Sequence, residues 1–509
     1  MKLIAIADLH SRSTPACGAR RSDLADFLLA RAVSRINRFL KPDLTVVLGD
    51  VVDDGGAADA PELLKRLKDV LGALRSPWIA LPGNHDRIGP GFFDVFPRPP
   101  AALDVAGVRF LAFSDPDEPG WNARREAAEV ARMRQARGDG WRGPVVSLQH
   151  VPLFRPGAGD CPYNYLNAGE ILDTMGAAGI GLAVSGHFHP GCDILGDGHT
   201  PCVVAPALCE FPFGFLEIDI EADGGLAVRR HSLAVPPELG LFDCHVHSQL
   251  AYCSKNMNVV RAVALGRDLG LGGTGVTEHS GQLYFDGKTF WSGGFLRDGL
   301  DGMGGRVDRA DSFFALAQEA GVAPECVALE VDCDFQGRLV LRGADRVRAG
   351  YLLGATHWLP CTMEGVPFTV AAASTQFLRL WKGLIEQGGI DVLAHPFRHF
   401  HRREIAPPAD LSWKLVQMLK RAGAAAELNF HTQQPHPLLF QQCLEAGVRI
   451  AVGSDSHELI EVGELHPHLD LLCGLGVSTR DLPHVLWRPE HARRGRRAGG
   501  RGRRGSRQA

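Results

Sequence analysis

Two consecutive series of short fragments bearing His, Asp, Glu and Asn, each just after a brief apolar run, constrain this chain more than any other feature of it. The first series holds Asp8 and His10, then Gly49, Asp50 and Asp53, then Gly83 to Asp86, then Gln149 and His150, then Gly186, His187 and His189. The second holds Asp243, His245 and His247, then Glu278 and His279, then Glu330, His357 and His395, and finally Asp455 and His457. Imidazole and carboxylate groups are costly to bury singly, because burial strips their hydration without returning a partner. Gathered at the ends of apolar strands they become ligands, and this inventory predicts two separate metal sites.

A chain of 509 residues is too long for one hydrophobic core, and 45% hydrophobic with 22% charged residues is the balance of ordinary globular domains. No apolar stretch is long enough to span a membrane. The N-terminus offers only Leu3 to Ala7 before Asp8, too little for the apolar region of a secretory leader, so a cytoplasmic location is the expectation. Twelve cysteines without a CxxC pair fit reduced thiols rather than a disulfide framework. Residues 493–509 carry eight arginines and no acid, while the remainder holds 46 basic against 58 acidic residues, a net charge of -12. That acidic body disfavours a broad nucleic-acid footprint. The segment 491–509, with glycines among its arginines, reads as a disordered tail.

Within residues 1–235, the runs Leu3–Ala7, Leu44–Leu48, Trp78–Leu81, Val108–Phe113, Val145–Leu148 and Leu182–Ser185 read as buried strands. Between them, Leu24, Phe27, Leu28, Ile36 and Phe39 share a helical face behind Ser22 as its N-cap, and Leu63, Leu64, Leu67, Leu71 and Leu74 share another with Pro61 in the first turn. The alternation predicts an α/β domain with its ligands at the C-terminal strand ends. Val203–Ala205 and Phe215–Ile220 read as later strands of a two-sheet sandwich, and the stretch from Glu221 to Gly240 as the domain boundary. In residues 236–490, helices are expected to stop at Gly270, Gly321, Gly388, Gly423 and Gly447 in left-handed caps. Apolar runs follow those glycines, and with Leu241–Phe242 and Tyr351–Ala355 they give seven strands carrying ligand residues at or near their C-terminal ends, the pattern of a barrel one strand short of eight. The GxGxxG spacing from Gly270 to Gly275 follows a helix and precedes a strand, the reverse of the dinucleotide-binding order, and is set aside.

With these motifs in this order, residues 1 to about 235 resemble a calcineurin-like metallophosphoesterase, an αββα sandwich. The resemblance implies Asp8, His10, Asp50 and His189 on one metal ion and Asp50, Asn84, His150 and His187 on a second, with Asp50 bridging. It also implies that His85 protonates or stabilises the leaving oxygen and that Asp53 orients His85. Asp54 and Gly55 stand where the Ser/Thr phosphoprotein phosphatase branch has arginine and glycine, which points to a small phosphoester or nucleotide substrate instead.

Residues of about 241 to 460 resemble the PHP (polymerase and histidinol phosphatase) superfamily, a distorted (βα)7 barrel. That resemblance implies His245, His247, His279, Glu330, His357, His395, Asp455 and His457 around two or three ions with Glu330 as the bridge, and the donor types suit Mn, Fe or Zn better than Mg or Ca. Many relatives carry His or Asp five or six residues after the second histidine; this chain has Tyr252 and Cys253, and Cys253 stands equally as a ligand or a plain thiol. Glu427, before Asn429, matches a strand-end motif, and His399, His401 and His431 are candidates for the mouth. The combined expectation is a bifunctional metal-dependent phosphoesterase, a hydrolase of phosphomono- or phosphodiesters that uses metal-activated water at two separate sites. Other readings are a repair-type nuclease, or one active metallophosphoesterase domain beside a non-catalytic metal-binding barrel.

Overall fold

Short, predominantly apolar runs become inner strands, because only a strand covered on both faces buries consecutive side chains. Leu44–Leu48, Val145–Leu148 and Leu182–Ser185 are buried throughout. The computed structural model describes residues 1–14, 18–87, 91–157, 160–195, 200–300, 305–363, 365 and 367–492, so of the segment 491–509 expected to be disordered, His491 ends a 3-10 turn and residues 493–509 lie outside the described residues. The chain divides into two units, Met1–Ala234 and Val235–Ala509.

The first unit contains β1 Lys2–Ile6, β2 Leu44–Leu48, β3 Trp78–Leu81, β4 Leu103–Val105, β5 Val108–Ala112, β6 Asp117–Glu118, β7 Asn122–Ala123, β8 Val145–Leu148, β9 Leu182–Ser185, β10 Cys192–Leu195, β11 Cys202–Val204, β12 Gly214–Ile220 and β13 Leu226–Ser232. One sheet runs β13-β12-β1-β2-β3 and the other β10-β11-β9-β8-β5-β4. Leu3, Val46, Leu81 and Leu216 of the first sheet share a core with Phe110, Leu148, Val184 and Val203 of the second, so the sheets pack face to face. The outer face of the second sheet is covered by Met133 of the helix Ala127–Arg134 and by Ile171, Leu172 and Met175 of the helix Ala168–Ala178. In the first sheet, β1, β2 and β3 are parallel, and the helices Ala25–Arg35 and Ala60–Leu71 supply the crossovers between them.

One expectation in this unit is corrected. Ser22 does not cap the first helix; it lies in a 3-10 turn, Ser22–Leu24, and no side chain accepts a hydrogen bond at the helix start. Within residues 221–240, Glu221 to Gly225 form the hairpin turn into β13, with Gly224 at φ 92° and Glu221 N bonded to Gly225 O at 2.8 Å, and the two units divide after Ala234. The glycines there serve a tight turn, and β13 is an edge strand whose exposed positions mask its pattern.

The second unit is a parallel sheet of β14 Phe242–His247, β15 Gly273–His279, β16 Val327–Asp332, β17 Tyr351–Ala355, β18 Val392–Leu393, β19 Ala425–Asn429 and β20 Ile450–Gly453, in sequence order. The first and last strands meet through a parallel bridge between Val246 and Ser456, which nearly closes a barrel. Trp487 packs against Phe242 and Tyr351 (6.5 and 5.0 Å between ring centroids) at the N-terminal strand ends, which leaves the C-terminal ends for the polar residues. Gly270, Gly321, Gly423 and Gly447 have positive φ as expected, but Gly388 does not; Gly389 (φ 62°) takes the left-handed position. The preceding π-turn Lys382–Gln387 absorbs one extra residue and moves the reversal along by one. Among the described residues no helix is long and apolar enough to cross a membrane.

Arg125 ties the segment 115–125 to the second sheet of the first unit. Its guanidinium lies 2.8 Å from Asp115, 3.6 Å above the Phe113 ring and beside Ser147 and Gln149, and Tyr165 donates to the same carboxylate at 2.7 Å. Both charged side chains are buried, so Arg125→Ala would leave an unpaired buried carboxylate. The expected loss is about 3–5 kcal/mol, measured by urea unfolding of the wild type and the variant.

Candidate metal centres

In the first unit the loops after β1, β2, β3, β8 and β9 bring every candidate ligand of the first series to one edge of the sandwich. His10 Nε2 lies 3.2 Å from His189 Nε2, and Asp8 Oδ1 lies 3.9 and 3.8 Å from these two nitrogens. His150 Nε2 lies 3.0 Å from Asn84 Oδ1 and 3.1 Å from His187 Nδ1. Asp50 Oδ2 joins the groups, 3.5 Å from His10 Nε2 and 3.4 Å from His150 Nε2.

The opposite ring nitrogens face oxygen: His150 Nδ1 the carbonyl of Leu48 (2.6 Å), His187 Nε2 the carbonyl of Trp121 (3.0 Å), His189 Nδ1 Glu210 Oε1 (2.7 Å) and His10 Nδ1 Asp53 Oδ1 (3.3 Å). Donating those N–H groups outward turns the lone pairs inward, where two of them at about 3 Å repel unless a cation lies between them. Asp8 Oδ1 is buried and has no hydrogen-bond partner, again as a cation ligand would be. Burial opposes a charged imidazole, yet the carboxylates of Asp50 and Asp8 push His150 up to about 10, so the pocket draws positive charge. The residues fit a pair of divalent ions.

In the second unit, Glu330 stands at the centre. Its Oε2 lies 3.5, 3.6 and 2.7 Å from His245 Nε2, His247 Nε2 and His279 Nδ1, and its Oε1 lies 2.7 and 3.2 Å from His395 Nε2 and His357 Nε2. Asp455 Oδ1 is 3.5 and 3.2 Å from the Nε2 atoms of His245 and His247, which are 3.1 Å apart. His457 joins His247 and His279 with donor atoms within 4.8 Å of one another. The far nitrogens are again engaged: His245 Nδ1 with Glu427 (2.8 Å), His357 Nδ1 with Asp332 (2.9 Å) and His457 Nδ1 with the Asp455 carbonyl (2.8 Å). Burial opposes charge on His357 too, but Asp332 and Glu330 push it up to about 10. Cys253 Sγ lies 3.6 Å from His279 Nε2, and burial pushes the thiol up to about 12. Of the three outer histidines, only His431 lines the cleft, parallel to His457 at 4.8 Å; His401 bonds Gln433 and His399 packs against Phe377.

A family model for calcineurin-like phosphoesterases matches residues 1–191. Residues 1–191 are a calcineurin-like phosphoesterase domain. The chain is thus a metal-dependent hydrolase of phosphoester bonds. It is similar to a probable cyclic nucleotide phosphodiesterase of Synechococcus sp., 24% identical over 242 residues, which are 45% of this chain and 92% of that protein. It is also similar to a glycerophosphodiester phosphodiesterase of Enterobacter lignolyticus, 38% identical over 92 residues, 17% of this chain and 30% of that protein. A solved structure of a dimetal phosphatase from Danio rerio matches 45% of this chain and 96% of its own at 15% identity and a TM-score of 0.39.

Within the phosphoesterase domain Asp53, expected to orient His85, reaches it through its main chain. His85 Nδ1 meets the main-chain carbonyl of Asp53 at 2.6 Å, whereas the Asp53 carboxylate faces His10, Arg12 and Arg20. The hydrogen bond with His10 holds that carboxyl at about 2 against partial burial, with both arginines adding to it. Sequence reasoning missed Glu210 and the Trp121 carbonyl, as well as Asp332 in the second unit, because no motif surrounds them. A weak signal for Asp332 was its place at the strand end two residues after Glu330, on the same face.

Glu210→Gln keeps the size of the His189 partner but removes its charge. Divalent metal affinity of the first centre is expected to fall about 10–100-fold, measured by Mn²⁺ titration with the folded state checked by circular dichroism.

Proposed function

We propose that this chain is a bifunctional phosphoesterase whose first unit hydrolyses small phosphodiesters and whose second unit is a PHP-type hydrolase of phosphoesters. The reading is carried by one atom, Asp50 Oδ2, which lies between the His10 and His150 donor sets. Asp8, His10, Asp50 and His189 would hold one divalent ion, and Asp50, Asn84, His150 and His187 the other. Such a pair, when bound, supplies an activated water and neutralises charge on the phosphoryl oxygens.

The protein's own groups handle the leaving oxygen. His85 is fixed at three points: its main-chain N–H donates to Asp50 Oδ1 (2.9 Å), its Nδ1 meets the Asp53 carbonyl, and its ring stands edge-on to His10 at 4.6 Å. Nε2 is left to carry the proton that the departing alkoxide takes. The two curated relatives named above are phosphodiesterases of small molecules by name, which favours diesters of that size.

In the second unit, His245, His247, His279, Glu330, His357, His395, Asp455 and His457 would hold two or three Mn, Fe or Zn ions. A cleft of about 460 Å³ opens on His279, His357 and His457 and is also lined by Arg402 and by the pairs Lys255–Glu458 and Arg398–Asp455, a size suited to a small phosphorylated molecule. Arg398 pairs with Asp455 Oδ2, which aims Oδ1 at His245 and His247.

The test is hydrolysis of a diester and a monoester of 4-nitrophenol, and of glycerophosphocholine, with Mn²⁺. Asp50→Asn is expected to abolish diesterase activity, and His245→Ala to remove a separable monoesterase part. His85→Ala should lower turnover of glycerophosphocholine roughly 10²–10⁴-fold with bound metal unchanged, and less for nitrophenyl esters, whose leaving group needs no proton. Diesterase activity that survives Asp50→Asn would refute the assignment.

A further inference from the structure

We infer that Trp121 is a specificity residue of the first centre, an aromatic platform for a flat leaving group, aryl or nucleoside. The inference rests on the diesterase reading and on the place given to His85. Trp121 lies at the turn of the β6–β7 hairpin, and its side chain is 61% exposed although a large aromatic ring gains most from burial. Its backbone has φ 62°, a left-handed conformation that is rare for a bulky residue.

Three sets of contacts hold it there. The Trp121 carbonyl accepts from His187 Nε2 at 3.0 Å. Asn122 braces the turn through Pro119 O (2.9 Å) and through the Asn164 main-chain N–H (3.0 Å). The buried pair of Arg125 and Asp115 closes the base of the segment. The indole is thereby parallel to the His85 ring, 13° between planes and 6.2 Å between centroids, with Tyr163 edge-on to His187 (4.6 Å) nearby.

The carbonyl alone would secure His187 with any residue at position 121. What the tryptophan adds is an exposed π-face beside the group proposed to protonate the leaving oxygen. An alcohol departing on the His85 side meets that face, and a flat ring stacks there while a flexible alkyl chain gains little.

The experiment uses the full chain loaded with Mn²⁺ and compares bis(4-nitrophenyl) phosphate with glycerophosphocholine. Trp121→Ala is expected to lower kcat/KM for the aryl diester about tenfold, mainly through KM, with glycerophosphocholine changed by less than about twofold and Trp121→Phe keeping most of the preference. Equal losses on both substrates, or none, overturn the platform. A second readout does not need turnover: calorimetry should show AMP binding about tenfold weaker in Trp121→Ala, with inorganic phosphate unaffected. If neither diester is hydrolysed but the AMP difference persists, the platform stands and the diesterase reading falls. If diesters are hydrolysed and both preferences ignore Trp121, the platform falls alone.

Discussion

The carboxylate of Asp86 accepts three main-chain N–H bonds, from Val51 (3.1 Å), Val52 (2.9 Å) and Gly83 (2.8 Å), and the geometry of the first centre hangs on it. These bonds fasten the loop after β2 to the loop after β3, which sets Asp50 between its histidines and puts Asn84 and His85 on either side. The fit admits no extra atom: a Cβ on Gly83 would come within 2.2 Å of Asp50 Oδ1, and one on Gly49, itself at φ 95°, within 2.6 Å of His150 Nδ1. The arrangement has a cost, since burial and the charge of Asp50 push Asp86 up to about 7 against the three N–H groups that favour its anion. Asp243 plays the corresponding part in the second unit. It accepts from Ser454 N (2.9 Å), Ser454 Oγ (2.6 Å) and Gly463 N (2.9 Å), tying the first strand to the loop after the last.

Such fastening explains how strained backbone persists at the candidate ligands. Asp8, His10, Asp50, His187, His395 and Asp455 all have positive φ, a conformation that costs about 1–3 kcal/mol at a residue other than glycine. Left-handed turns at the strand ends reverse the chain within one residue, so the ligand side chain points back over the sheet edge. Hydrogen bonds to a charged carboxylate, at about 1.5–3 kcal/mol each, are of the size needed to offset the strain. The donors are therefore held by the protein's own hydrogen bonds, which spares binding energy the work of assembling them.

Most of this was legible in the chain because both folds place their ligands immediately after apolar strands, where a pattern of polar residues stands out. Leu44–Leu48 followed by Asp50, and Val327–Val331 enclosing Glu330, needed only that pattern. The partners that orient the ligands were not legible, because tertiary proximity selects them. Glu210 reaches His189 from 21 residues away in the chain, with β10 and β11 between them, and the carbonyls of Leu48, Asp53 and Trp121 carry no side-chain signature. Asp53 shows the limit plainly: its proximity to His85 was readable, but which of its oxygens does the work depends on the direction of one side chain, which turns toward Arg12 and Arg20. Gly388 and Gly389 show another, since a π-turn shifts a cap by one residue with no change in composition.

Charge explains why so many acids surround each centre while so few face inward. Of the candidate ligands only Asp8 and Asp50 in the first unit, and Glu330 and Asp455 in the second, are carboxylates; the others are imidazoles and one amide, which bring no negative charge. Two divalent cations, when bound, would outweigh two carboxylates, and the positive remainder, poorly screened in a buried pocket, would suit an anionic phosphoester. Further inward acids would cancel it. Asp53, Glu210, Asp332 and Glu427 are instead turned onto the outer nitrogens of His10, His189, His357 and His245. There they fix the tautomer of each imidazole without entering the substrate's field directly. The same division separates the residues that name the chemistry, which the sequence displays, from those that tune it, which only the fold brings into contact.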